Sequence, residues 1–524
     1  MLEYWPMQRI SRAAALAPFL FLLLRAQEVR VTSGALDQQV FQRNGEGFAD
    51  IPLSGSASGR KVNGKPVEVR LSSRGGVVPG FDWIPLAKVQ KTMWTGVLRK
   101  VPTGGPYRID ARLQDGTFVF SVNQILVGDL WMLAGQSNME GHGDLVNVQP
   151  PAELVHSFDM ADEWMVAKEP LHTEVSAADP VHWPLNAERQ PERLTGEKLA
   201  IYIAERKKGA GLGLPFAAEM VHRTGVPVGL IPCAHGGTSM AQWSPALKDQ
   251  GGDSLYGAML RRFRAVGGHV TGMLWYQGES DANPKAAPAF ETSFIDFVKA
   301  ARADFGQPDL PFYYVQIGRH VSNQNAVEWN KVQEAQREAA SHIPNSGMVA
   351  SVDLSLDDGI HVSTPDLKRL GHRLANLACH DLFPTAAGCG LLKPGPYPLS
   401  AQLDRDVVKV VFSGVNGRLQ SEGRIAGFSI RGPKNEELAA IYKAAIDPAE
   451  ASTVELFVQG KLPPGAALYY GFGKDPYCNL RDAEDMAAPM FGPLPIRTAA
   501  APGAARAFSN PRMILKPDSV SNTR

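Results

Sequence analysis

The stretch Gly128-Asp-Leu-Trp-Met-Leu-Ala-Gly135-Gln-Ser137-Asn-Met-Glu-Gly141-His142 sets an apolar run directly ahead of a serine bracketed by two glycines. A strand ending this way presents a hydroxyl at the carboxyl edge of a parallel sheet, where α/β folds place their sites. Glycine permits the tight turn and a close approach of substrate. Taken alone, Ser137 reads more simply as a helix N-cap. The segments downstream tip the balance.

His235-Gly-Gly-Thr238, Trp275-Tyr-Gln-Gly-Glu-Ser280 and Asp358-Gly-Ile-His361 each follow an apolar run of their own. His361 is the candidate base for Ser137, although a lone Asp-x-x-His is also common around a surface histidine. Asp358, three residues earlier, can accept from the ring and hold its tautomer; Asp357 and Asp353 are rivals for that role. Acyl transfer also needs donors for an oxyanion. The candidates are the N–H groups of Ser137, Gly236 and Gly237 and the side-chain amide of Gln277. Trp275 and Glu279 are candidate sugar contacts, although Trp275 reads equally as core and Glu279 as a brace for Gln277. Glu279 and Asp281 share one short loop, a poor arrangement for a glycosidase pair. His142 and His235 lack a third ligand at any recognisable spacing, so no metal and no cofactor is expected. His320 reads as a loop histidine.

Around these segments the pattern is that of an α/β protein. Apolar runs at 124–134, 226–233, 270–276, 312–317 and 347–353 alternate with amphipathic segments at 215–223, 254–265, 291–303, 326–341 and 365–382. Such alternation implies crossover units and a parallel sheet. Residues 145–212, rich in Pro, Glu and His, break the rhythm and read as an insertion, equally a wall over the site mouth or a surface excursion without contact to ligand. On either side, 28–122 and 395–496 carry short alternating strands between Gly and Pro turns, the mark of small β-sandwich domains. The α/β domain is expected over 123–390 and a disordered tail over 497–524.

Length and composition add bounds. The 524 residues suffice for two or three domains, and 44% hydrophobic with 20% charged residues is ordinary for a globular chain. Lys plus Arg equals Asp plus Glu at 53 each, which points away from nucleic acid and anionic membranes. Arg9 and Arg12 precede the apolar run 13–24, and Ala26 follows. This reads as a signal peptide over 1–26 and as a secreted or periplasmic protein without stable membrane insertion. Of the four cysteines, Cys379 and Cys389 flank a short loop and can pair in an oxidising compartment, whereas Cys233 reads as a buried apolar residue. Cys478 is the fourth.

The blocks Gly135-Gln-Ser137-Asn-Met139, His235-Gly-Gly-Thr238, Trp275-Tyr-Gln-Gly-Glu279 and Asp358-x-x-His361 resemble those of the sialate O-acetylesterase family. That family is a carbohydrate-esterase branch of the Ser-Gly-Asn-His (SGNH) hydrolase superfamily. Where the superfamily carries asparagine in its third block, Gln277 stands here. The resemblance implies a flavodoxin-like parallel sheet flanked by β-sandwich domains, with Ser137 as nucleophile, His361 as base and Asp358 as its partner. It also implies metal-independent removal of acetyl groups from an O-acetylated sugar or glycan. Acetylxylan deacetylation within the same superfamily, and an inactive carbohydrate-binding protein, are the alternatives.

Overall fold

The computed structural model describes residues 27–498 except 115 and 117. The expected signal segment 1–26, and the tail beyond 498, lie outside the described residues. Arg497 and Thr498, expected in that tail, close the strand Phe491–Thr498 instead.

Two compact units emerge. Among the described residues, the first comprises 27–36, Asp50–Arg99 and Tyr107–Asn123. It is built of antiparallel strands: Glu28–Ser33 pairs with Phe48–Ser58, and Pro66–Ser73 pairs with Ile84–Lys88 and Gly104–Leu113. Along Phe48–Ser58, Ala49, Ile51, Leu53 and Ala57 are buried between exposed neighbours, the period-two pattern of a half-covered strand. Asp37–Ala49 and Lys100–Pro106 group with the second unit rather than the first. The reason for the former is pairing: Val40–Gln42 runs parallel to Leu126–Gly128, and Arg43 meets Asp129 at 2.8 Å.

Seven strands follow one another across the sheet of the second unit: β1 (Phe120–Gly135, in this unit from Gln124), β2 (Val155–Phe158), β3 (Trp164–Val166), β4 (Val228–Pro232), β5 (Gly272–Tyr276), β6 (Phe312–Gln316) and β7 (Ser346–Ala350). Their spatial order is β3-β2-β4-β1-β5-β6-β7, parallel throughout except that β3 returns antiparallel to β2. Helices α1 (Ser137–Glu140), α2 (Gly196–Glu205), α3 (Gly213–Thr224), α4 (Leu255–Ala265), α5 (Phe290–Phe305), α6 (Val327–His342) and α7 (Thr364–Leu382) accompany it. Leu130 to Ala134 are fully buried, as a strand covered on both faces must be; this is why β1 reads as one continuous apolar run. In α7, Pro365 opens the helix, and Leu367, Leu370, Leu374 and Leu377 recur on one buried stripe. From β1 the chain crosses to β2 and β4 on one side, then to β5, β6 and β7 on the other. The carboxyl end of β1 is therefore the topological switch point, where loops part and leave a crevice.

Segment 145–212 is more than an insertion. It supplies β2 and β3, and β2 pairs in register with β4 (Val155 with Val228, Ser157 with Leu230). Strands of four and three residues at a sheet edge leave too little periodicity to read from sequence.

Residues 397–498 form an eight-stranded sheet around Val408, Val410, Phe412, Val454, Leu456 and Leu468. They fall in the same compact unit as the α/β core. Gln316 at the end of β6 donates to Met490 O and accepts from Met490 N, both at 2.8 Å. Buried Arg373 of α7 binds Asp353 and Asp485. Cys379 and Cys389 form a disulfide, and Cys233 is buried. Among the described residues no helix is long and apolar enough to cross a membrane.

Candidate active site

Ser137 opens α1 at the carboxyl end of β1, the switch point of the sheet. A side chain at Gly135 would come within 2.2 Å of Tyr276 O, so only glycine lets the chain leave the sheet so close to β5. Gln136 secures the turn: its N–H donates to Tyr276 O, and its Oε1 accepts from Gly278 and Ser280 N–H.

The loop between β7 and α7 brings His361 to the serine. Its Nε2 lies 3.0 Å from Ser137 Oγ, and its Nδ1 lies 2.8 Å from Asp358 Oδ2. Asp358 Oδ1 accepts from the N–H groups of Ile360 and His361, which fixes the carboxylate against the ring. The two rivals are engaged elsewhere. Asp357 accepts from the N–H groups of Asp144 and Thr364, and Asp353 pairs with Arg369 and Arg373. Burial would raise the Asp358 carboxyl, but the His361 ring, the two N–H groups and the Lys208 ammonium at 3.1 Å outweigh it and hold it far down. Asp358 is therefore a carboxylate at any working pH. Burial lowers His361 below its ordinary 6.5, and His142 and Lys208 add to this while Asp358 opposes. The imidazole is thus neutral near pH 7 and free to take a proton.

Asn138 ties the two loops together. Its amide donates to Glu279 Oε1 at 2.9 Å, and its Oδ1 accepts from Val362 N–H at 3.0 Å. It stands beside the serine in the quoted motif, yet the sequence assigns it no role. Glu279 thereby braces the nucleophile turn. Burial, with Asp281 adding, pushes its carboxyl up to about 7 despite the bond from Asn138. Three other contributors escape a sequence reading: His142, whose ring stacks 4.4 Å from that of His361; Glu140, 3.5 Å from His142; and Lys208 from segment 145–212.

Not every expected residue reaches the site. Trp275 is fully buried and packs on Trp243 and Phe297, so it offers no face to a sugar; β5 is covered on both sides, and its aromatics belong to the core. Gln277 is fully buried as well. Both of its amide hydrogens are taken, one by Thr238 O at 3.1 Å and one by Asp281 Oδ2, so it ties two loops together instead of facing an oxyanion. The glycine pair fits better. A side chain on Gly236 would lie 2.8 Å from Glu140 Oε2 and 3.7 Å from Ser137 Cβ, which places this backbone against the serine. Among the described residues, the N–H groups of Ser137, Gly236 and Gly237 donate to no protein acceptor. His320 donates its backbone N–H to Lys474 O and takes no part in the triad geometry.

Residues 127–380 match the family model described as carbohydrate esterase, sialic acid-specific acetylesterase. This segment, a little under half of the chain, is similar to carbohydrate esterases. A probable carbohydrate esterase of Arabidopsis thaliana is 29% identical over 269 residues, which cover 47% of this chain and 88% of that protein. The sialate O-acetylesterase of Homo sapiens is 24% identical over 301 residues, 51% of this chain and 56% of its own length. The chain thus spans little more than half the length of the human relative. A solved carbohydrate acetylesterase from Xanthomonas citri shares the fold, with a TM-score of 0.59 at 22% identity over 88% of this chain and 99% of that one.

Proposed function

We propose that the chain is a serine esterase that removes O-acetyl groups from carbohydrates through an acyl-serine intermediate. The observation that carries this reading is the line Ser137 Oγ, His361 Nε2 and Nδ1, Asp358 Oδ2, with separations of 3.0 and 2.8 Å. A serine hydroxyl becomes a nucleophile only with a neutral base in reach and a fixed tautomer, and both conditions are met here. Ser137 Oγ attacks the acetyl carbonyl carbon while His361 Nε2 takes its proton. The N–H groups of Ser137 and the Gly236-Gly237 pair hold the oxyanion. As the carbon–oxygen bond to the sugar breaks, the sugar oxygen takes the proton from Nε2. Water then attacks the acetyl-serine, giving its proton to the same nitrogen; acetate leaves and Ser137 regains its hydrogen.

The order of the four loop blocks supports an SGNH-type arrangement, with Gln277 as a buried tie where the superfamily carries asparagine. The antiparallel regions on either side support the flanking β-sandwich reading. The Cys379–Cys389 disulfide supports a secreted or periplasmic setting, since such bonds persist in oxidising compartments. The family match and the human relative point to acetylated sugars, sialate among them. Acetate release from O-acetyl sialic acid and from acetylated xylan, wild type beside Ser137→Ala, tests the proposal. Release by the wild type alone supports it, and the preferred substrate names the branch. Release that survives in Ser137→Ala defeats it.

A further inference from the structure

Beside the triad, segment 145–212 delivers two side chains to His235, the residue that precedes the Gly236-Gly237 pair. Glu174, His182 and His235 each offer one ligand atom, and these atoms all lie within 4.8 Å of one another. His182 Nδ1 is 3.1 Å from His235 Nδ1, and Glu174 Oε1 is 3.0 Å from that same nitrogen. The His182 side chain is almost wholly enclosed, while Glu174 and His235 retain a fifth to a quarter of their surface.

Protons satisfy this arrangement poorly, only by sharing one N–H between two acceptors. One N–H on His235 Nδ1 can point fully at His182 or at Glu174, and split between them it makes two weak bonds. Glu174 Oε1 indeed has no hydrogen-bond partner despite its 3.0 Å neighbour, and buried His182 Nε2 has none either. If His182 Nδ1 carries the proton instead, the bare His235 nitrogen faces the Glu174 carboxylate, lone pair against lone pair. A cation among the three atoms removes the conflict, because all three then point lone pairs at a positive charge. The spacing suits this. Zinc holds His nitrogens and carboxylate oxygens at roughly 2.0–2.2 Å, so tetrahedral ligand atoms sit about 3.3 Å apart.

We propose that Glu174, His182 and His235 form a binding site for one divalent transition metal, zinc by its donor set. Two imidazoles and a carboxylate suit zinc better than the hard, oxygen-seeking magnesium or calcium. Three protein ligands leave a fourth position for water. The ligands come from two distant stretches of chain, so the ion clamps the segment carrying Glu174 and His182 onto the loop that carries Gly236. Its role is to position that loop. The site stands on its own contacts, whether or not Ser137 is the nucleophile.

The test is metal binding, read without an activity assay. The full chain, stripped with a chelator and dialysed, is titrated with zinc, and bound metal is measured by mass spectrometry. Cobalt(II) in place of zinc reports coordination through its visible bands. One zinc per chain and the intense cobalt bands of a four-coordinate site are expected. Losing a direct ligand costs at least what losing an outer-shell partner does, roughly 10- to 100-fold in affinity. Both His182→Ala and Glu174→Gln therefore weaken binding, while His342→Gln, at a surface histidine paired with Glu291, leaves it unchanged. Glu174→Gln is isosteric and changes no volume, so it reports even where His182→Ala fails to fold. No stoichiometric zinc in the wild type, or undiminished binding in Glu174→Gln, overturns the site.

Discussion

Replacing Asp358 by Asn is the sharpest probe of how the imidazole is controlled. The carboxylate accepts from Ile360 N–H at 3.0 Å and His361 N–H at 2.9 Å through Oδ1, and from the His361 ring at 2.8 Å through Oδ2. An amide oxygen keeps the first two bonds. Its NH2 then faces His361 Nδ1 and cannot accept from it. The ring answers by moving its proton to Nε2, where it blocks the transfer from Ser137. Losing one hydrogen bond to a charged group costs about 1.5–3 kcal/mol, or about 10- to 150-fold in rate at 1.36 kcal/mol per tenfold. Holding the wrong tautomer has cost serine triads about 10⁴-fold in kcat. Asp358 keeps 38% of its side chain exposed, so water can take over part of its work. The expected loss in kcat/KM therefore lies between these figures, about 10²- to 10⁴-fold. The assay is hydrolysis of p-nitrophenyl acetate across pH, with circular dichroism as a check on folding. Because Asp358 raises His361, its loss also moves the acid limb of the profile to lower pH. A folded Asn variant within about threefold of wild type would refute the reasoning, since no charge-assisted bond is that weak.

Other outcomes follow from the same contacts. The wild-type kcat/KM should fall on acidification with a midpoint below 6.5, where His361 gains its proton, and Lys208→Met should move that limb upward by removing a cation that disfavours the imidazolium; a downward move would show that the lysine acts otherwise. Glu279→Gln keeps an oxygen for the Asn138 amide and should retain most esterase activity, whereas Glu279→Ala leaves that amide unpaired and should lose activity by loosening both loops; equal and complete loss in both variants would make Glu279 a chemical participant. Trp275→Ala should lower stability by about 3–5 kcal/mol in denaturant titration, as deletion of a buried indole does; a raised KM with unchanged stability would restore the sugar-platform reading.

The legible part of this protein was its sheet edge. β4, β5 and β6 are buried along their whole length and β1 over its second half, so each shows as an apolar run, and the polar block after each run lies at a carboxyl end by construction; β7, at the edge, is buried only at Val349 and Ala350. That is why Ser137, Gly236 and His361 could be placed near one another from sequence. The partners that decide function within those blocks were not legible. Whether Gln277 faces an oxyanion or Asp281 depends on side-chain direction in a buried loop, and periodicity is blind to it. Trp275 and a sugar platform differ only in which side of β5 is covered. Glu174 and His182 reach His235 across more than fifty residues of chain, in a segment whose strands are too short to announce themselves. Lys208 meets Asp358 across a longer span still.

The central claim is that Ser137 carries the acyl group, and trapping it is the most direct test. The active protein is treated with a serine-directed sulfonyl fluoride, and intact and peptide masses are read alongside residual hydrolysis of p-nitrophenyl acetate. The account predicts one adduct per chain, located on Ser137, with activity lost in step and no adduct on Ser137→Ala. An adduct on another residue that tracks the loss, or hydrolysis that persists with Ser137 fully modified, would contradict it.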